Sequence, residues 1–176
     1  MSIYTYFPKI NYKVDEYDSL RAIDITSAIK IKDYLKSYRG ILFTPYIVKN
    51  GDRPDIVSNK LYGDPNYDWI LLIANDMYSV YDDWPRNIFD LETFIIEKYG
   101  SLSSAMSTVK YYYNSSLDII DQTTYNNLAS TARRSETQYE YELRVNSNKA
   151  KIKVVKRSLI TAITSDLNTI AKRPVL

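Results

Sequence analysis

The sequence predicts an α+β fold, a strand-helix-helix-strand core with helical and extended segments at both ends. Three observations predict it. The stretch from Tyr46 to Pro85 concentrates chain breakers, holding Gly51, Gly63, three of the six prolines and both tryptophans. Between those breakers lie two segments of helical length with apolar residues at three-four spacing. Outside them, the last twenty residues carry a separate amphipathic pattern, with Leu159, Ile160, Ile163, Leu167 and Ile170 on one face.

Taken in order, residues 1–13 alternate only loosely and contain Pro8, which argues against a central strand, so they are expected as an extended arm. The arm packs either on its own domain or on a neighbouring subunit. Asp24 to Tyr38 has Ala28, Ile31, Leu35 and Tyr38 in helical register, a cap at Asp24 or Thr26, and Gly40 as a stop. Its basic face is either solvated or turned toward an acidic partner.

Tyr46 to Lys49 reads as the first core strand, turned by Asn50-Gly51. Pro54 to Tyr62 is the first core helix, with Pro54 at its first position, Val57 and Leu61 on one face, and Gly63 suited to the left-handed residue after it. Asn66 to Asn75 carries the apolar run from Trp69 to Ala74, too continuous for a helix with a single buried stripe. Tyr78 to Trp84 is the candidate second strand. The expected core residues are Val57, Leu61, Tyr62, Trp69, Leu72, Ile73 and Trp84, with Trp69, Leu72 and Ile73 at the centre.

Beyond Pro85, a helix from Ile88 or Phe89 to Tyr99 presents Leu91, Phe94, Ile95 and Tyr99 to the core and ends at Gly100. Ser101 to Ser107 reads as a short helical turn, and Thr108 to Tyr113 as a strand, being β-branched and aromatic. Residues 114–135 are polar and aperiodic, a linker or long surface loop. Glu136 to Ala150 reads as a helix, Ile152 to Val155 as a short apolar run, and Ser158 to Lys172 as the terminal amphipathic helix. The expected organisation is an N-terminal arm and helix (1–40), the core (41–86), a helix and strand packed on it (87–113), the linker (114–135) and a C-terminal helical extension (136–176).

A resemblance enters on three joined pieces: GDRPDIVSNKLYGD, then PNYDWILLIAND, then YDDWP. Together they resemble the LysM-like module in baseplate wedge proteins of contractile-tailed, T-even-like phages, the gene 53 product family. The order YEYEL, NSNK and IKVVKRSLI resembles the tail of the same family more faintly. The resemblance implies a LysM-like βααβ core and a non-enzymatic structural role in a phage tail baseplate. Its implied partners are other wedge subunits, copies in adjacent wedges included, and its implied location is the virion, after synthesis in the host cytoplasm. Glycan binding is the alternative, because LysM modules bind N-acetylglucosamine polymers in a shallow groove. That groove would map to Gly51, Asp52, Arg53, Asn75, Asp76 and Met77.

Composition narrows the chemistry. The chain has 176 residues and neither cysteine nor histidine, which removes disulfides, thiol nucleophiles, Ser-His-Asp catalysis and the usual zinc sites. No cofactor is expected. Its 23 basic and 21 acidic residues nearly cancel, so neither nucleic acid nor an anionic membrane is expected as a partner. The longest apolar run, residues 69–74, falls far short of the roughly 20 residues that span a bilayer, and no secretory signal pattern opens the chain. Asp64, Asp68, Asp76, Asp82 and Asp83 cluster near the tryptophans, where a glycosidase would place carboxylates. Their positions beside Pro, Gly and helix ends fit capping better. Tyrosine is abundant, at 18 residues against 4 phenylalanines, matching either protein interfaces or a compositional drift of the genome. The residues expected at a partner interface are Tyr4, Tyr6 and Phe7 in the arm and Leu159, Ile163, Leu167 and Ile170 in the last helix.

Overall fold

A computed structural model of the chain describes residues 9–13, 19–23 and 43–171. The expected helix at Asp24 to Tyr38 and the arm residues Tyr4, Tyr6 and Phe7 lie outside them. The fold is α+β and divides into two compact units, with the second inserted into the sequence of the first. The first comprises the described residues of 1–48, 52–84 and 151–176, and the second comprises 49–51 and 85–150.

In the first unit, β1 (Lys9–Lys13) and β2 (Ser19–Ile23) pair antiparallel, with Asn11 opposite Arg21. Residues 9–13, expected as part of an extended arm, are therefore one half of a strand pair. β3 (Phe43–Ile47) is followed by α1 (Pro54–Tyr62), a turn of 3-10 helix at Pro65–Tyr67, and α2 (Asp68–Ala74). Pro54 opens α1, whose first turn has no N–H partner to lose, and Gly63 closes it at φ 80° with its N–H on the Asn59 carbonyl.

The expected second strand is different in the structure. Residues 78–84 contain a short helix, α3 (Val80–Asp83), because side chains capture the backbone there. The Ser79 hydroxyl accepts the Asp82 N–H, and the Asp83 carboxylate accepts the N–H groups of Tyr78 and Ser79. This capping outweighs the strand preference of Tyr78, Val80 and Tyr81. The strand that completes the sheet comes instead from β7 (Lys151–Val155), antiparallel to β3 with Pro45 opposite Lys153.

The buried set of this unit includes Val48, Val57, Tyr62, Trp69, Ile70, Leu71, Trp84, Ile152, Val154 and Val155. Ile70 and Leu71 are fully enclosed, whereas Leu61, Leu72 and Ile73 are only half-buried. The enclosed pair of α2 is thus two residues earlier in the chain than the expected Leu72 and Ile73. The last helix, α8 (Ile160–Ala171), buries Ile160, Ile163 and Leu167 within the chain itself.

The second unit packs α4 (Ile88–Tyr99), α5 (Leu102–Ser107) and α7 (Gln138–Lys149) around Leu91, Ile95 and Ala105, with Phe94, Tyr99, Leu102, Tyr139 and Leu143 against them. Asn87 caps α4 by accepting the Asp90 N–H, and Thr137 forms a reciprocal capping box with Glu140 on α7. A three-stranded antiparallel sheet has β4 (Val109–Tyr113) between β5 (Ile119–Ile120) and β6 (Arg134–Thr137). Residues 114–135, expected as a linker or loop, hold β5, α6 (Gln122–Asn127) and the start of β6. The expected C-terminal extension 136–176 is likewise divided, since α7 belongs to the second unit and β7 and α8 to the first.

Candidate functional site

Of the residues nominated for a glycan groove, Asn75, Asp52 and Arg53 are engaged within the protein. Asn75 donates to the carbonyls of Leu71 and Lys153, each at 2.8 Å, and accepts the Lys153 N–H at 2.7 Å. Asp52 binds Lys60 at 2.8 Å, and its carbonyl accepts the Trp84 indole N–H at 2.8 Å. Arg53 forms a two-pronged pair with Asp55, which holds that carboxyl below its usual range. Asp76 is exposed at φ 57°, Met77 is half-buried with its N–H on the Leu72 carbonyl, and Gly51 is an exposed turn residue at φ 81° in the second unit.

Three of the carboxylates near the tryptophans hold backbone N–H groups. Asp64 accepts the Asn66 N–H, Asp68 accepts the Trp69 N–H, and Asp83 closes the turn before α3. Burial pushes the Asp68 carboxyl up, whereas the hydrogen bonds from Asn66 hold that of Asp64 down. Among the described residues, no group of three or more His, Cys, Asp or Glu could hold a metal ion. Nor is any helix there long and apolar enough to cross a membrane.

The helix nominated as a partner interface turns its stripe inward. Ile163 and Leu167 are among the most buried of the described side chains and Leu159 is half-buried, so Ile163 and Leu167 are covered within the chain itself. The Ile170 side chain lies outside the described residues. Exposed apolar side chains occur elsewhere, with Tyr78 80% and Tyr81 87% exposed in the first unit and Phe89 76% exposed in the second.

The second unit contains two buried carboxylates, each ringed by tyrosine and a cation. Glu142 accepts from the Tyr99 hydroxyl at 2.7 Å and from Lys98 at 2.9 Å, with Lys110 at 3.7 Å. Burial alone would push its carboxyl up, but these hydrogen bonds and charges overcome that and leave it below its usual value. The Lys110 ammonium also lies 3.5 Å above the Tyr141 ring, a cation-π contact.

Glu136 accepts both prongs of Arg144, at 2.6 and 2.9 Å, and the Tyr113 hydroxyl at 2.7 Å. The Arg144 hydrogen bonds hold its carboxyl well below the usual range, while the Arg144 guanidinium is pushed up by the same contact. Both glutamates are thus fixed as anions, unfit to shuttle protons near neutral pH.

Beside the Glu136 network is a cavity of about 200 Å³, lined by Tyr113, Leu117, Arg134, Glu136 and Arg144. The sheet assembles it. Tyr113 faces Arg134 and Tyr111 faces Glu136 across β4 and β6, so the four side chains share one face of the sheet. Leu117 joins from the β4-β5 turn at φ 67°, where the Asn114 side chain accepts the N–H groups of Ser116 and Asp118. None of these residues was nominated from sequence as a site, although Arg133-Arg134 is visible there as a basic pair. The usable signal was alternation, Arg134 and Glu136 on a short strand beside a Tyr-rich one.

Comparison with known proteins gives a consistent direction. The family model described as base plate wedge protein 53 matches residues 2–116. Baseplate wedge protein gp53 of Enterobacteria phage T4 is 28% identical over 115 residues, which is 64% of this chain and 58% of that relative. The matched region therefore spans little more than half of the relative's length. The family match ends before Leu117, so four of the five residues lining the cavity lie beyond it.

Proposed function

The chain belongs to the base plate wedge protein 53 family, and from that premise we propose that it is a non-enzymatic structural subunit of a phage tail baseplate wedge. It joins neighbouring wedge subunits through protein-protein interfaces, and its place is the virion tail. The observation that carries this reading is the family match over residues 2–116. Two physical features support it. The ionisable side chains near the tryptophans are committed to caps and ion pairs, which leaves little for catalysis. Tyr78, Tyr81 and Phe89 project into solvent, and large aromatic side chains of this kind anchor protein interfaces.

Complementation tests the reading. A contractile-tailed phage lacking this gene is supplied with the full chain, and tail baseplates are examined by electron microscopy and by mass spectrometry of purified particles. Complete baseplates containing the chain are expected only when it is supplied. Complete baseplates in its absence would overturn the proposal. Sedimentation of the purified protein with insoluble peptidoglycan, expected to be negative, separates this role from the glycan-binding one.

A further inference from the structure

We propose that the cavity between β4, β6 and α7 is a socket for one acidic side chain, carried on a segment of a partner wedge protein with an apolar residue beside it. This rests on the structural role proposed above.

Size decides the class of occupant first. Small-molecule and cofactor sites run from about 300 to 1,000 Å³, and this cavity is about 200 Å³. It accommodates a side chain, not a cofactor.

Charge decides the chemistry. The walls carry two guanidiniums, Arg134 and Arg144, and one carboxylate, Glu136. Arg144 is committed to Glu136 through two hydrogen bonds. The Arg134 side chain is exposed and acts on Glu136 through its charge alone, without a side-chain hydrogen bond or salt bridge among the described residues, which leaves its planar fork available to a carboxylate in the two-pronged geometry that guanidinium favours. The wall therefore has one positive charge in excess. A single carboxylate matches that excess, whereas a phosphate group would bring a second negative charge against Glu136. Tyr113, whose hydroxyl is already donated to Glu136, completes the lining.

Leu117 supplies the apolar partner contact. It is 60% exposed and occupies a left-handed backbone position that glycine or asparagine would adopt without steric conflict. Ile119, next to it and opposite Tyr113 across the strands, is also exposed. An exposed guanidinium with free donors, close to two exposed aliphatic side chains, is complementary to an acidic residue with an apolar neighbour.

The test uses the full chain incorporated into baseplates. A photo-crosslinking amino acid replaces Leu117, and crosslinked peptides from purified baseplates are identified by mass spectrometry. A crosslink to another wedge protein, in a peptide with Asp or Glu beside an apolar residue, is expected. Arg134→Glu should lower incorporation about tenfold or more while the chain stays folded by circular dichroism. Replacing the crosslinked acidic residue by Lys should restore it. Normal incorporation of Arg134→Glu, or crosslinks only within the chain, or a crosslinked peptide lacking an acidic residue, would overturn the socket. Each of these would leave the structural role standing, because the wild-type chain would still be found in the baseplate. Failure of the wild-type chain to enter baseplates would overturn both.

Discussion

Asn75 grips Lys153 by both of its backbone groups, accepting the N–H at 2.7 Å and donating to the carbonyl at 2.8 Å. The amide thus takes the place that a third strand would have beside β7, and it satisfies an edge that would otherwise invite pairing with another chain. Asn75→Ala removes both contacts and should destabilise the protein by about 1–3 kcal/mol. Asn75→Asp retains the acceptor alone and should fall between. Urea unfolding monitored by tryptophan fluorescence measures both.

Two residues further along the same edge, the Val155 N–H donates to the Tyr62 hydroxyl at 3.2 Å. Tyr62→Phe leaves that buried N–H without a partner and should cost about 1–3 kcal/mol. Burial pushes the Tyr62 hydroxyl up to about 12 from its ordinary value of 10.0. The folded value is the higher one, so the associated stability is fully present below pH 10.0 and is lost as pH rises through about 12. Unfolding midpoints measured from pH 9 upward should fall more steeply for the wild type than for Tyr62→Phe.

Ile163→Ala and Leu167→Ala should each destabilise the chain by about 2–5 kcal/mol, the range for truncating enclosed aliphatic side chains. The same substitutions distinguish the two roles that the helical pattern leaves open. An unchanged melting temperature with impaired assembly would make the helix an interface after all.

At low pH the second unit should weaken through Glu136 and Glu142. Both carboxyls lie below their ordinary value of 4.5 in the folded chain. Their contribution is therefore complete above pH 4.5 and is lost as pH falls through the lowered folded values. Glu142→Gln removes the charge-assisted part of the bonds from Tyr99 and Lys98. It should cost about 2 kcal/mol at neutral pH and flatten the acid limb of the stability profile, as read by circular dichroism.

Leu117→Gly should be neutral or stabilising by about 1 kcal/mol, since relief of the left-handed strain opposes the added freedom of the unfolded chain. Thermal unfolding decides it. A loss of more than that would mean that the Leu117 side chain packs into the unit instead of lining an open cavity.

The helices with strong local punctuation were legible from sequence because their signals sit within one turn of their ends. Pro54 and Gly63 bound α1, and Asn87 and Gly100 bound α4. The error at residues 78–84 has the same origin with the opposite outcome. Tyr78, Val80 and Tyr81 favour a strand, but Ser79 and Asp83 capture the N–H groups that a sheet would need. The pairing of β3 with β7 is non-local and leaves no local mark except Pro45, which lacks the N–H that an interior strand would use. The cavity was illegible because its residues come together only after β4 and β6 adopt their register, which includes a bulge between Val109 and Tyr111.

The insertion also sets an order of events for folding. The pair Ile47 and Lys151 cannot meet until the intervening 103 residues, 48–150, have been made, and closing so long a loop in a flexible chain is entropically slow. Asn146 shortens the search. Its amide accepts the Arg86 N–H at 2.8 Å and donates to the Arg86 carbonyl at 2.9 Å, tying together the two ends of the inserted unit. Once that unit has folded, the chain that must be searched before β3 meets β7 is shorter by the residues between Arg86 and Asn146. Asn146→Ala should therefore slow refolding of the first unit more than it lowers its final stability, which stopped-flow tryptophan fluorescence would resolve.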